Sequence, residues 1–250
     1  MAIFIDALSA RNGGGITYVE NLIDTIPKLN NLKIYIISQD DLFSKIKDKR
    51  IKQIHARWPL QNPISRAVWQ FFVLPFILQK LKIKIFFVPG GINFCKVPSF
   101  CKMITMFRNM LPFDEKQIER YPIGVSKIKF LIQKQLIFKT LKNADFVIFI
   151  SAFSRKLILK KIPHLQENSA VIPHGVDKKF FANNTIYNSC IYPEGKYFLY
   201  VSRIEYYKRQ IEVLKAFSVV NNIYNDFKLY FVGPENNKYS NLLKKEIDKK

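Results

Sequence analysis

Acidic residues, cysteines and histidines are all scarce in this sequence of 250 residues. The three cysteines and three histidines are not spaced as zinc ligands are, and so few cysteines indicate a reducing compartment. No cationic segment followed by an apolar run and a cleavage site stands among the first residues. We therefore expect a cytoplasmic protein without a metal ion.

The shortage of acidic residues leaves a large positive charge. Only 19 aspartates and glutamates accompany 40 lysines and arginines, so the formal net charge is +21. Such a charge predicts an acidic partner, which could be nucleic acid, anionic lipid or a phosphorylated ligand. Because 48% of the residues are hydrophobic, the chain is globular, with a sizeable core in one large or two modest domains.

The sequence also lacks an apolar run long enough to span a bilayer. The nearest to one is residues 67–78, which are too few and are disturbed by Pro75. Arg66 precedes this segment, and Lys80, Lys82 and Lys84 follow it, which is typical of a segment lying in the lipid interface. The alternative is a buried core helix, and the sequence favours this alternative slightly.

A second basic segment, residues 127–142, predicts an amphipathic helix. Its lysines are Lys127, Lys129, Lys134, Lys139 and Lys142. We expect Ile128, Leu131, Ile132 and Leu136 to form the buried stripe of this helix. The lysines then remain outside, where several together would bind an anionic membrane surface reversibly and release it at high salt.

Strands and helices are predicted to alternate along the chain. The expected strands are residues 2–7, 33–38, 84–88, 102–107, 145–150, 170–172, 197–201 and 228–232. Helices are expected at residues 16–26 and 127–142, and another begins at Ser151 or Ser154, whose hydroxyl can accept an amide hydrogen bond. This alternation predicts an α/β fold with a parallel, doubly wound sheet.

Two turns have features of phosphate-binding loops. Gly13, Gly14 and Gly15 precede the first helix, and the missing Cβ atoms let a phosphate approach the backbone closely. Arg203 and Lys208 lie between the strand at 197–201 and the next helix, which is a place to hold a diphosphate. Each turn alone is a weak signal, since a flexible or basic turn without a ligand is common.

Domain boundaries are suggested by composition. Residues 1–180 are expected to form a first Rossmann-like domain. Residues 181–195 are rich in asparagine, with proline and glycine, and are predicted to be a linker. Residues 196–250 supply only two strands and two helices, too little for an independent core. We therefore expect them to be the first part of a second domain.

Five motifs in a fixed order carry a resemblance to a known family. They are GGGITYVENL at 13–22, ISAFSRK at 150–156, VIPHGVD at 171–177, LYVSRIEYYK at 199–208 and LYFVGP at 229–234. Together they resemble the family 4, or group 1, retaining glycosyltransferases along nearly the whole chain. The resemblance implies a GT-B fold of two facing Rossmann-like domains, with a nucleotide-sugar in the cleft between them. It also implies that residues 1–180 are the acceptor-side domain and that residues 196–250 belong to the nucleotide-sugar-binding domain.

The resemblance implies a role for each turn. Arg203 and Lys208 would hold the donor diphosphate and stabilise the departing nucleotide, while Gly13, Gly14 and Gly15 would approach the same diphosphate. The departing phosphate would itself accept the proton of the acceptor hydroxyl, so the resemblance implies neither a protein base nor a cofactor. The E-x7-E motif of the family is missing, because no two glutamates lie eight positions apart.

Three further residues are candidates for the acceptor side of the cleft. Arg108 and Asn109 stand where relatives often carry a histidine near the reacting sugar, and His174 lies within the VIPHGVD motif. The resemblance implies transfer of a sugar to a lipid-linked or surface-polysaccharide acceptor at the inner face of the cytoplasmic membrane.

Two other classes of protein stay open at this point. A non-catalytic remnant or subunit would keep the first domain while a separate chain supplies the rest of the second. A basic nucleic-acid-binding protein would explain the charge, but no RRM, KH, zinc-finger or helix-turn-helix pattern supports it. We expect no nucleic acid among the partners. A dehydrogenase fits less well, because the dinucleotide fingerprint is missing.

Overall fold

The computed structural model describes most of the chain as two compact units. The described residues are 1–10, 13–26, 31–38, 48, 50–56, 58–176, 195–235 and 238–249. The first unit comprises Met1–Asp114 and Lys127–Gly175, and the second comprises Glu115–Ser126 and Val176–Lys250. The predicted linker lies outside the described residues except for Gly195, so the boundaries at 180 and 196 stay predictions.

The first unit contains one parallel sheet of seven strands. The strands are β1 (Ala2–Asp6), β2 (Lys33–Ile37), β3 (Ile51–Gln53), β4 (Ile85–Val88), β5 (Lys102–Phe107), β6 (Phe146–Phe149) and β7 (Ser169–Val171). Their order in the sheet is β3-β2-β1-β4-β5-β6-β7, and every neighbouring pair is parallel. The order reverses between β1 and β4, and ligands of open α/β sheets bind at the carboxyl ends of the strands near such a point.

Helices cover both faces of this sheet. They are α1 (Gly14–Thr25), α2 (Pro63–Phe72), α3 (Leu74–Lys80), α5 (Val125–Asn143) and α6 (Ala152–Leu159), whereas the short helix α4 (Glu115–Glu119) belongs to the second unit. Successive residues of a strand point to opposite faces. Phe4 packs with α2, α3, α5 and α6, whereas Ile5 packs with α1. The predicted parallel, doubly wound sheet is therefore confirmed.

Local sequence explains where two of these helices begin. The Ser151 hydroxyl accepts the amide hydrogen of Ser154 at 3.2 Å, so α6 has the N-cap that the sequence predicts. The side-chain oxygen of Asn62 accepts the amide hydrogens of Ile64 and Ser65, which caps α2.

The apolar segment at residues 67–78 forms parts of two successive helices with two different faces. Trp69, Leu74 and Leu78 are buried in the core, as the prediction of a core helix requires. Phe72 and Phe76 lie on the outer side and are exposed, so that prediction holds for one face only. Among the described residues, no helix combines the length and the hydropathy needed to cross a membrane.

The predicted buried stripe of α5 is wrong. Ile128, Leu131 and Ile132 are each more than half exposed. The buried residues of this helix are instead Ile137, Thr140 and Leu141. The helix has 19 residues and is about 28 Å long, longer than the four-residue strands beside it, so only its carboxyl-terminal half packs on the sheet.

The second unit has a sheet of only two parallel strands. Its elements are β8 (Lys196–Val201), α7 (Gln210–Asn221), β9 (Phe227–Val232) and α8 (Lys238–Ile247). Its buried core cluster consists of Ile204, Leu214, Tyr239 and Leu243. The apolar and aromatic residues of β8 are typical of a parallel strand covered on both faces, and the sequence therefore predicts a buried strand. This prediction is wrong, because Phe198, Leu199 and Val201 are exposed. Within the described residues, two helices and one partner strand do not suffice to cover β8.

A buried carboxylate joins β1 to α2 at the switch point of the first sheet. The Leu8 amide donates to Asp6 Oδ1 at 3.1 Å, and the Gln70 side-chain amide donates to Asp6 Oδ2. Arg66 donates to the Leu8 carbonyl at 3.2 Å. Burial raises the pKa of Asp6 above its ordinary 3.8, although these hydrogen bonds and the charge of Arg66 oppose the shift.

Asp6→Ala is expected to lower the free energy of unfolding by about 2–4 kcal/mol, because it leaves the buried amides of Leu8 and Gln70 without acceptors. Urea denaturation measures this loss, and Asp6→Asn, which keeps one acceptor, should lose less. Since the folded protein binds the Asp6 proton more tightly than the unfolded chain, the stability of the wild type should fall as pH rises through this pKa range. The asparagine variant should lack this slope, and equal slopes would contradict the assignment.

Candidate functional site

The glycine loop of the first unit follows β1 and begins α1. Gly13 is the N-cap, with φ 56° and ψ −137°, a conformation that favours glycine. No heavy atom lies within 4 Å of where a Cβ of Gly13 or Gly14 would stand. The Ile16 amide donates to the Gly13 carbonyl at 3.0 Å, whereas the amides of Gly14 and Gly15 stand before any intrahelical acceptor, and the N-cap Gly13 has no side chain to cap them. The loop therefore leaves room for a phosphate, while Arg11 and Asn12 lie outside the described residues.

Three side chains from distant parts of the sequence meet near the carboxyl ends of the strands. Arg108 follows β5 and lies over the ring of Tyr18 from α1, with its guanidinium carbon 5.3 Å from the ring centroid. The ring of His174, which follows β7, lies 5.3 Å from that of Tyr18. The structure thus brings together the predicted residues Arg108 and His174, with Tyr18 between them in a cation–π contact.

Burial gives this cluster its electrostatic character. It lowers the pKa of the Arg108 guanidinium and raises that of the Tyr18 hydroxyl. Burial, assisted by the positive charge of Arg108, also lowers the pKa of His174 below 6.5, so this imidazole is neutral at pH 7. Among the described residues no carboxylate pairs with Arg108. The cluster therefore carries a net positive charge that suits an anion.

Asn109 has a local structural role. Its side-chain oxygen accepts the amide hydrogen of Leu111 at 3.2 Å, at the start of the 3-10 turn Leu111–Phe113. Its side chain is exposed, whereas Arg108 is half-buried. Of the two adjacent candidates, the structure therefore places Arg108 in the cluster and uses Asn109 to shape the turn that follows.

Arg203 and Lys208 lie in the loop between β8 and α7, as the sequence predicts. Arg203 is exposed and lies 3.7 Å from a carboxylate oxygen of Glu205. The ammonium of Lys208 lies 5.0 Å from the ring centroid of Tyr207. The exposed pair of Arg203 with Glu205 contributes little, so Arg203 can turn towards a ligand, and Lys208 is half-buried with no ion pair among the described residues. The helix begins at Gln210, after a 3-10 turn formed by Tyr206–Lys208.

A third cation of this loop is not among the predicted site residues. Arg209 precedes α7 with φ 59° and ψ 37°, a left-handed conformation that is uncommon outside glycine. Its Nε is buried without a hydrogen-bond partner in the described part of the chain. Such strain and unmet hydrogen bonding cluster at ligand sites. The signal in the sequence that could have identified Arg209 is the pair of adjacent cations, Lys208 and Arg209, immediately before the apolar helix.

The backbone around Arg203 is held in place from two sides. The Gln210 side-chain amide donates to the Ser202 hydroxyl at 3.0 Å and to the Arg203 carbonyl at 2.9 Å. From β9, Gly233 approaches so closely that a Cβ there would stand 1.9 Å from the Ser202 carbonyl oxygen. These contacts orient the loop on a rigid scaffold.

Gly233→Ala is therefore expected to displace the backbone of Ser202 and Arg203. We expect at least a tenfold loss of affinity for nucleoside diphosphates and a lower thermal stability, because backbone cannot yield as a flexible side chain can. Gly175→Ala is the matched control, since its Cβ would meet open space. Calorimetric titration and thermal unfolding measure both effects, and a wild-type affinity in Gly233→Ala would show that the loop position does not matter.

Comparison with solved structures identifies the architecture. A glycosyltransferase from Rickettsia africae matches with a TM-score of 0.62 and 19% identity, over 99% of this chain and 65% of that one. The lipopolysaccharide outer core galactosyltransferase WaaB matches with a TM-score of 0.54 and 16% identity, over 99% of this chain and 66% of that one. S. aureus MnaA, solved with UDP, matches with a TM-score of 0.60 and 13% identity, over 98% of this chain and 65% of that one. The fold is GT-B-like.

The GT-B-like fold is what these likenesses show, since all three identities are low. No family model and no curated protein sequence matches the chain. The chain spans about two thirds of the length of each solved structure. The predicted α/β fold, with a Rossmann-like domain built on a parallel sheet, is confirmed. Within the described residues, no three His, Cys, Asp or Glu side chains are grouped to hold a metal.

Proposed function

We propose that this chain belongs to a retaining glycosyltransferase of family 4, which transfers a sugar from a nucleotide-sugar to a lipid-linked or cell-surface polysaccharide acceptor. The observation that carries the proposal is the loop between β8 and α7, where Arg203, Lys208 and Arg209 follow a parallel strand. The Nε of Arg209 is buried and finds no acceptor among the described residues, which gives this loop an unmet need for a hydrogen-bond acceptor. A diphosphate supplies several such acceptors and the charge to match.

The chemistry explains why cations are needed there. Cleavage of the bond between the sugar and the diphosphate leaves additional negative charge on the departing nucleotide. Arg203 and Lys208, held before the reaction begins, stabilise that charge, and one such group is commonly worth two to three powers of ten in rate. The departing phosphate accepts the proton of the acceptor hydroxyl, so the proposal includes no protein base, metal ion or other cofactor.

Two features of the first unit complete the proposal, namely the glycine loop before α1 and the cluster around Arg108. Gly13, Gly14 and Gly15 offer open backbone amides to a phosphate. The Arg108 cluster with Tyr18 and neutral His174 is suited to an anionic group of the acceptor, such as the phosphate of a lipid-linked sugar. WaaB, which acts on the lipopolysaccharide outer core by its description, supports an acceptor of this class.

The proposed location is the cytoplasm, at the inner face of the cytoplasmic membrane. The net charge of +21 supports a peripheral association with anionic lipid. The same charge could attract nucleic acid, but the sequence carries none of the motifs that bind it, so nucleic acid is not among the proposed partners.

A non-catalytic remnant or subunit is the second candidate, and one observation favours it. Apolar residues of the second unit are exposed on both strands, including Phe198, Leu199, Val201 and Val232. A separate chain that supplies the rest of this domain would cover them. Such a chain would be a partner of either an active enzyme or a non-catalytic subunit.

The proposal is tested by titrating the protein with UDP and GDP, and with the matching monophosphates, in a calorimeter. Diphosphates should bind more tightly, because the loop is proposed to hold both phosphates. Equal or absent binding would contradict the proposed donor site. Incubation with nucleotide-sugars and a lipid-linked acceptor then separates the candidates, since the enzyme forms a glycosylated product and a non-catalytic subunit forms none.

A further inference from the structure

Helices α2 and α3 have apolar side chains on two opposite sides. Gln70, Leu74 and Leu78 recur every four residues along the buried side. Ile64, Val68, Phe72 and Phe76 recur with the same spacing on the other side. Positions two residues apart in a helix are separated by about 200°, so these two rows face apart. A helix that is apolar all round is normally covered all round.

The outer row is exposed. The exposed fractions are 76% for Ile64, 40% for Val68, 54% for Phe71, 62% for Phe72 and 71% for Phe76. These five residues are called the outer stripe. Phe71 and Phe72 touch edge to face, with centroids 4.8 Å apart, so the stripe includes a contiguous aromatic surface. Single exposed apolar residues are normal, whereas a contiguous apolar patch marks an interaction surface.

The charges around the stripe have a single sign. Residues 49–113 contain no aspartate and no glutamate, although they contain eleven lysines and arginines. Lys80, Lys82 and Lys84, at and beyond the end of α3, are all exposed. The ammonium of Lys84 lies 5.5 Å from the ring of Phe100, which is itself exposed. An apolar surface that is flanked along the sequence by cations is complementary to anionic lipid.

Helix α5 supplies a second surface of the same kind in the same layer. Ile137 and Leu141 of α5 share one core cluster with Trp69 and Leu74, so these helices cover the same face of the sheet. The exposed residues Ile128, Leu131 and Ile132 of α5 are accompanied by Lys127 and Lys129. The apolar, basic character therefore extends beyond a single helix.

We infer that the outer stripe is a membrane-docking surface for a bilayer of anionic lipid. Phe71, Phe72 and Phe76 enter the boundary between headgroups and acyl chains, and Lys80, Lys82 and Lys84 contact the headgroups. This inference rests on the membrane location within the proposed function and not on sugar transfer. It names the side chains that the location depends on.

The test measures sedimentation of the full chain with vesicles of phosphatidylcholine and phosphatidylglycerol in a 3:1 ratio, and with phosphatidylcholine alone. Phe72→Ser with Phe76→Ser should weaken binding to the anionic vesicles at least tenfold. Because both side chains are exposed, circular dichroism and the affinity for UDP should match the wild type. Phe153→Ser is the matched control, since Phe153 is also 71% exposed but lies on α6, outside the stripe. It should change binding less than twofold.

High salt should weaken binding of the wild type, and neutral vesicles should bind it poorly. Unchanged vesicle binding by the double variant would overturn the inference while leaving the membrane location in place. If the wild type forms a concentration-dependent dimer and the double variant does not, the outer stripe binds a second copy of the chain. This result would also overturn the inference of membrane docking. If the wild type does not bind vesicles, both the docking surface and the proposed membrane location are wrong. The donor site is tested separately, by the titration with nucleoside diphosphates.

Discussion

Replacing Arg203 and Lys208 together by alanine is expected to abolish measurable binding of nucleoside diphosphates. The two cations lie in one loop whose backbone is fixed by Gln210 and by the close approach of Gly233. Their present partners are a loose pair with Glu205 and the Tyr207 ring, so little is lost elsewhere when they are removed. If the chain is active, each single variant should lose about two to three powers of ten in rate.

The control for this experiment is another exposed cation of the same unit. Lys215→Ala on α7 removes an equal charge outside the loop and should leave the affinity within about twofold. Arg209→Ala should weaken binding too, because it removes the Nε that is buried without a partner in the described part of the chain, while the Cβ of alanine keeps the left-handed strain unchanged. Wild-type affinity in the Arg203 and Lys208 double variant would disprove the proposed donor loop.

Hydrogen exchange should be far slower in the first sheet than in the second. Phe4, Ile5 and Phe86 of the first unit are almost completely buried, whereas Phe198 and Leu199 of β8 are about half exposed. A two-stranded sheet is marginal by itself, and local opening costs little where few apolar contacts are broken. We expect amides of β1 and β4 to be protected at least about a thousandfold more than those of β8 and β9.

Saturating nucleoside diphosphate should raise protection in β8 and α7, because a ligand stabilises the state that it binds. The amides of β1 serve as the internal reference and should not change. Equal protection of both sheets without ligand would show that the second unit is as stable as the first, contrary to its small core of four residues.

Local sequence determined much of the first unit. Apolar strands separated by helices indicated a parallel, doubly wound sheet, and the Ser151 cap and the glycine at position 13 are set by residues close in the chain. Such features need only neighbouring residues, because a hydroxyl near an amide or a missing Cβ acts within one turn. Strand β3 was not predicted, since three residues including a lysine carry too weak an apolar pattern.

The coverage of apolar surfaces was decided by tertiary structure. Periodicity identified α5 as a helix but assigned it the wrong buried side, because the same row of Ile128, Leu131 and Ile132 would be buried only beneath another element. The apolar strand β8 was assigned to an interior for the same reason. Whether an apolar face is buried depends on what packs against it, and that neighbour lies elsewhere in the chain.

The candidate site shows the same division between local and distant information. The sequence alone determined the chemical types, with cations after β8 and glycines before α1. Only the folded chain brought Tyr18, Arg108 and His174 together, because the ends of parallel strands meet although their residues are far apart in sequence. Only the folded chain left the Nε of Arg209 buried and unpartnered, since burial and hydrogen bonding are properties of the surrounding atoms.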